Sequence, residues 1–192
     1  MSVTTLTPPA SEPVSLAEAK TLLRIDAADE DTLLASLIAT ARHTVETRTG
    51  RALITRSLAL TLNRWPHKNA VPLPHPPLVT VNSVEVVDAS STVTPLAADT
   101  WNIDRTGLRA RLLPAPGHAW PAPGAAVDGI RIAYDAGYGT DPQNVPPPLA
   151  HAVLLLVAHW YENRVPVVLN GSAARIPATV DALIAPYRLP KL

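Results

Sequence analysis

The side chains with chemistry to offer lie in a few short stretches. His151 and His159 stand two turns apart on one predicted helix, and His159 precedes Glu162 by three residues. A histidine and a carboxylate at that spacing share a helical face and could ligate a metal. Two turns separate the histidines too widely for one ion, however, and the chain has no second Glu-x-x-His pair of the di-iron type. A hydrogen-bonded histidine at an interface or boundary is the plainer reading. His43 and Glu46 repeat the spacing on an earlier helix, where weak pairing on a solvated face accounts for them. Arg48, Arg51 and Arg56 crowd a helix–strand junction and could hold a phosphate or a partner carboxylate. An interface or an intrachain salt bridge is preferred there to nucleic acid. Trp160-Tyr-Glu-Asn-Arg164 is the densest aromatic–arginine cluster. Trp, Tyr and Arg dominate interface hot spots, although Trp160 serves equally well as core. The chain has no cysteine, which removes thiolate metal sites, disulfides and cysteine nucleophiles together. It carries no Gly-x-Ser-x-Gly elbow and no Walker A loop. Gly137-Tyr-Gly139 reads as a turn, and so does Asn170-Gly-Ser172, a sequon without a secretion signal. No catalytic residue, metal site or cofactor is expected.

Composition narrows the classes further. Sixteen basic and sixteen acidic residues leave no formal net charge, whereas nucleic-acid binders take most of their affinity from a basic excess. The first residues lack the basic and apolar regions of a signal peptide. The longest apolar run, 152–158, is far too short to span a bilayer. These features read as a soluble intracellular protein with no membrane contact. At 192 residues such a chain can bury about 70% of its unfolded surface and needs no metal or disulfide to fold. The twenty-one prolines cluster in 72–77, 114–123 and 142–148, where they mark loops and boundaries.

The elements that must position these side chains follow from period and caps. Ser15-Leu-Ala-Glu18 is a capping box opening a helix over 16–24. Acidic residues at 26–31 suit the start of a second helix, where the macrodipole favours them. Leu33, Leu34, Leu37, Ile38, Ala41 and Val45 continue it at helical spacing to about 48, and Thr49-Gly50 stops it. From residue 52 the period changes to two: Ile54, Leu58, Leu60 and Leu62 alternate with polar or small neighbours. Strand material recurs at 78–81, 84–87, 101–103, 108–112 and 130–134, with a hairpin turn at 104–107. Pro146-Pro-Pro148 then opens a helix over 147–163, and a short amphipathic helix covers about 178–186. Residues 1–14 read as an extended or mobile segment.

Arranged in this order, the chain resembles the head–tail connector (adaptor) proteins of long-tailed bacteriophages and gene transfer agents. The resemblance rests on Val14-Ser-Leu-Ala-Glu-Ala-Lys20 with Leu22-Leu-Arg24, the acidic start of the second helix, and Glu46-Thr-Arg-Thr-Gly-Arg-Ala-Leu53. It continues through Leu73-Pro-His-Pro-Pro-Leu-Val79, Val81-Asn-Ser-Val84 and Tyr134-Asp-Ala-Gly-Tyr-Gly139. It ends in the proline-opened helix that runs to His159-Trp-Tyr-Glu-Asn-Arg164, and in Leu183-Ile-Ala-Pro-Tyr-Arg188. It implies a structural virion protein at the neck, made in the bacterial host cytoplasm. Such proteins form a ring, typically of twelve subunits, beneath the portal, extend the DNA channel and offer a platform to stopper or tail proteins. DNA would pass through the lumen without sequence-specific binding, and no catalytic residues or cofactors come with the family.

The expected fold is α+β: a small helical bundle, N-terminal helices plus a C-terminal long helix, carrying an inserted β module. The expected divisions are a mobile segment 1–14, a helical core 15–51 with 145–164, a β module 52–144, and a C-terminal docking arm 165–192 with a short helix. The arm carries apolar side chains in an irregular segment, which is unusual unless something covers them. Its candidates for partner contact are Ile176, Leu183, Ile184, Tyr187 and Arg188, joined by Trp160, Tyr161, Arg164, Arg48 and Arg51 from elsewhere in the chain; Leu183 and Ile184 also suit the chain's own core, and the alternative reading has 178–188 capping the helical bundle. The rival readings are a stopper or tail-completion protein of the same neck, a metal-dependent enzyme using His151, His159 and Glu162, and a nucleic-acid-binding module.

Overall fold

Ser15 opens the first helix as its spacing to Glu18 requires. In the computed structural model, which describes residues 1–163 and 176–190, the Ser15 hydroxyl accepts the Glu18 N–H at 3.1 Å, and the Glu18 carboxylate accepts the Ser15 N–H at 2.6 Å. These bonds hold the Glu18 carboxyl below its ordinary range. Helix α1, Leu16–Leu23, ends at Arg24, whose backbone turns left-handed. Helix α2, Asp31–Thr49, ends at Gly50, also left-handed with φ 75°, whose N–H donates to the Glu46 carbonyl. Any larger residue at Gly50 would be strained by that φ, and its Cβ would crowd Leu189 at 3.2 Å. Helix α3, Pro147–Glu162, starts on proline, and α4, Ala178–Ile184, runs into a single 3₁₀ turn, Ala185–Tyr187.

These helices form one unit, built from Ser11–Ile54 and the described residues from Gly139 onward. Helix α2 packs along α3, α1 rests on both, and α4 closes over α3 and α2. The buried positions keep the helical period: Leu34, Ile38, Ala41 and Val45 on α2, and Leu149, Ala152, Val153, Leu156 and Val157 on α3. Val180 and Ile184 of α4 join them. Each fully buried Leu, Ile or Val contributes about 1.5–3 kcal/mol over an exposed one.

The second unit comprises Met1–Ala10 and Thr55–Tyr138. Its strands are β1 (Ser2–Thr7), β2 (Arg56–Leu62), β3 (Val71–Pro72), β4 (Leu78–Val87), β5 (Val93–Pro95), β6 (Trp101–Asp104), β7 (Arg111–Pro114) and β8 (Ile130–Ala136). They make a five-stranded antiparallel sheet in the order β1-β2-β8-β4-β5 and a three-stranded antiparallel sheet in the order β3-β7-β6. Register puts Leu58 opposite Tyr134, Leu60 opposite Ile132 and Leu62 opposite Ile130, so alternation gives the large sheet one buried apolar face. The Tyr134 hydroxyl donates to the Pro74 carbonyl, and burial pushes its phenol well above the ordinary range. Trp65 and Trp120 stack at 4.1 Å, and each indole N–H donates to a backbone carbonyl, of Pro121 and Asn69 respectively. The turn after β6 is organised by Asp104. It accepts from the Thr106 hydroxyl and N–H and pairs with Arg111, which brings its carboxyl down to about 2.

The α+β class stands, but the small helical bundle with a C-terminal long helix and an inserted β module does not. Four α-helices are present among the described residues; the longest is α2, and α3 is followed by α4. The strands form two antiparallel sheets, and they are not a single insert, because β1 from the chain's beginning is an edge of the larger one. Residues 2–7, expected to be extended or mobile, are that strand. The sequence hid this because β1 is exposed along nearly its whole length and so has no alternation to display.

Candidate assembly surface

The end of α2 gathers residues that lie far apart in sequence. Arg48 reaches Asp181 of α4 at 2.7 Å, and Arg188 reaches the same carboxylate oxygen at 2.6 Å. Arg51 donates through Nε to the Tyr187 carbonyl at 2.7 Å, and the Leu189 N–H donates to the Thr49 carbonyl. Four of the expected contact residues, Arg48, Arg51, Tyr187 and Arg188, therefore share one surface, together with Asp181. Arg48 and Arg188 remain 36% and 43% exposed. Each guanidinium has five N–H donors, more than its bond to Asp181 or Tyr187 uses. Arg56, the third arginine of the junction, lies on β2 in the other unit.

One turn earlier the same helix carries a different arrangement. Arg42 bonds Glu12 at 2.7 Å and Glu46 at 3.0 Å, and Glu46 also accepts the Leu53 N–H at 2.9 Å. Burial alone would lower the Arg42 pKa, but Glu12 and Glu46 outweigh it and raise the value. Glu46 is only 5% exposed, so the solvated face expected for His43 and Glu46 holds for His43 alone. The i, i+4 spacing of Arg42 and Glu46 was visible in the sequence; the burial that makes it matter was not.

The remaining candidates disperse. Trp160 is half-buried near the end of α3. Tyr161 is also half-buried, and its hydroxyl donates to the Glu30 carboxylate. Ile176 and Leu183 are half-buried, and Ile184 is fully enclosed in the chain's own core, closed to a partner unless the unit opens. Arg164 lies outside the described residues, as does most of the irregular part of the expected arm. His151 and Glu162 are exposed. The Nε2 of His159 is buried without a hydrogen-bond partner among the described residues, which also contain no cluster of His, Asp or Glu able to hold a metal. An open cleft of about 430 Å³ is lined by Ser15, Glu18 and residues 141–144. Ser15 and Glu18 cap α1 there, while Asp141 and Asn144 cap the 3₁₀ turn Pro142–Asn144, so its polar atoms already serve the backbone.

A family model described as phage gp6-like head–tail connector protein matches residues 13–88. A chain in the virion of a native gene transfer agent particle is 32% identical, with a TM-score of 0.81 over 100% of this chain and 97% of that one. The chain belongs to the head–tail connector family. A chain in the neck of an empty gene transfer agent particle, computed with C6 symmetry, is similar to this connector at the same 32% identity, TM-score and coverage. One in the neck of a native particle, computed with C12 symmetry, follows at 31% identity and a TM-score of 0.77, again over 100% and 97% of the two chains. No curated protein sequence matches the connector.

Proposed function

We propose that this connector works in the virion neck, as one subunit of a twelve-membered ring between the portal and the stopper or tail proteins. Its role is structural: it links head to tail and extends the channel through which DNA passes, without sequence-specific binding and without catalysis. The observation that carries this reading is the end-to-end likeness, at 31% identity, to a chain in a neck computed with C12 symmetry. The zero formal charge of the chain supports a channel that does not grip DNA, since each neutralised phosphate would add affinity. Residues 165–192 form the arm toward the portal in this reading, with Trp160, Tyr161 and Arg164 as further contact candidates. Electron cryomicroscopy of the assembled particle tests it. Twelve copies of this chain around the channel are expected; one or two copies per neck would overturn it.

A further inference from the structure

The two ends of α2 carry opposite charge. At the basic end Arg48 and Arg188 share the exposed Asp181 carboxylate, and Arg51 donates to the Tyr187 carbonyl beside them. At the other end Asp26, Asp29, Glu30 and Asp31 outnumber Lys20 and Arg24. Lys20 is paired with Asp31 at 2.7 Å, and Glu30 receives Tyr161. Asp26 and Asp29 are exposed, with no ion pair among the described residues. A helix of this length separates the two ends by about 28 Å at 1.5 Å per residue. The helix dipole favours an acidic start and a basic finish, but it reaches only Asp31 and Arg48 in the terminal turns. Asp26, Asp29 and Arg188 lie outside α2 and need another explanation. Apolar side chains accompany the charge: Leu22 and Leu33, in the elements flanking the acidic segment, are 45% and 39% exposed.

We infer that the acidic start of α2 on one copy of this chain docks against the basic end of α2 on the next. The inference rests on the ring reading and names the lateral contact within it. A closed ring needs a heterologous contact, in which one patch meets a different patch on an identical neighbour. A subunit with complementary charge at two separated ends supplies this. Partly exposed guanidiniums suit the role, because their unspent donors match a carboxylate bidentately. Arg48, Arg51 and Arg188 then serve the ring, and contact with the portal falls to other residues of 165–192.

Charge reversal in assembled particles tests the contact, with copies of the chain per particle counted by quantitative mass spectrometry. The first variant carries Asp26→Lys and Asp29→Lys; the second carries Arg48→Glu and Arg188→Glu. Each alone is expected to lower incorporation at least tenfold while melting like the parent chain. Supplied together they are expected to recover it in equal amounts, since an alternating ring restores opposite charge at every contact. If the second variant melts early, Arg188→Glu alone takes its place. Normal incorporation of the folded single variants overturns the docking, and so does a mixture of folded variants that fails to recover. Low copy number in particles of the parent chain would instead overturn the ring reading, before any variant is compared.

Discussion

Two arginine–carboxylate clusters sit on α2 less than two turns apart, and they do different work. In the first, Arg42 and Glu46 have side chains only 13% and 7% exposed, and Glu12 closes the group from the segment before α1. Both of the Glu46 oxygens are used, one by Arg42 and one by the Leu53 N–H, so the cluster ties the start of the chain, the helix and the segment after it together. In the second, Arg48, Arg188 and Asp181 are 36%, 43% and 45% exposed. Water competes for every bond there, and salt screens it. Similar residue types at similar distances thus give a cluster shut away from water in one case and a solvated one in the other.

The largest effect in this comparison is expected from Arg42→Met. It takes from the buried Glu46 carboxylate the guanidinium that pairs with it at 3.0 Å. Removing one partner of a buried pair costs about 3–5 kcal/mol. Urea unfolding followed by the helical circular dichroism signal measures this, and a loss below about 1 kcal/mol would place the first cluster in the same class as the second. Glu46→Gln is gentler. The amide oxygen can still accept the Leu53 N–H, and Arg42 keeps Glu12, so the loss is that of a charge-assisted bond, about 1.5–3 kcal/mol. The ratio of the two variants sharpens the comparison, because it separates the charge of Glu46 from its role as backbone acceptor.

The sequence announced the elements better than it announced these differences. The capping box, the Thr49-Gly50 stop and the proline gate located α1, α2 and α3 to within a residue or two, because each signal is local. The arginine cluster at 48–51 was legible as a salt-bridge or interface site, yet Asp181 was not, since its pairing spans 133 positions and no local pattern carries it. Strand β4 read as two pieces because register shifts between Leu78 and Thr80 and between Val81 and Ser83 interrupt its alternation. Of the second sheet, the β6–β7 hairpin was legible as strand material at 101–103 and 108–112 around a turn, whereas β3 was not, because two residues are too few for a period to declare itself. Burial of Glu46 and enclosure of Ile184 are tertiary facts. Both residues sit in stretches whose composition suits a solvated helix or a partner surface equally well.

The smallest expected effect is the most discriminating. Asp181→Asn removes the charge that Arg48 and Arg188 share but leaves a carbonyl oxygen for either guanidinium. An exposed pair of this kind is worth about 0–1 kcal/mol, so the unfolding midpoint should hardly move, and the small change should shrink further as salt is added. The same substitution takes the exposed carboxylate that Arg48 and Arg188 share out of the cluster and leaves both guanidiniums available to a carboxylate on another chain. Incorporation into the neck should therefore be kept or increased, in contrast to the loss expected from Arg48→Glu with Arg188→Glu. A destabilisation above about 2 kcal/mol would show that the second cluster holds the fold as the first does. Normal stability with lost incorporation would show that the partner reads Asp181 itself, and that the basic end of α2 is not what it recognises.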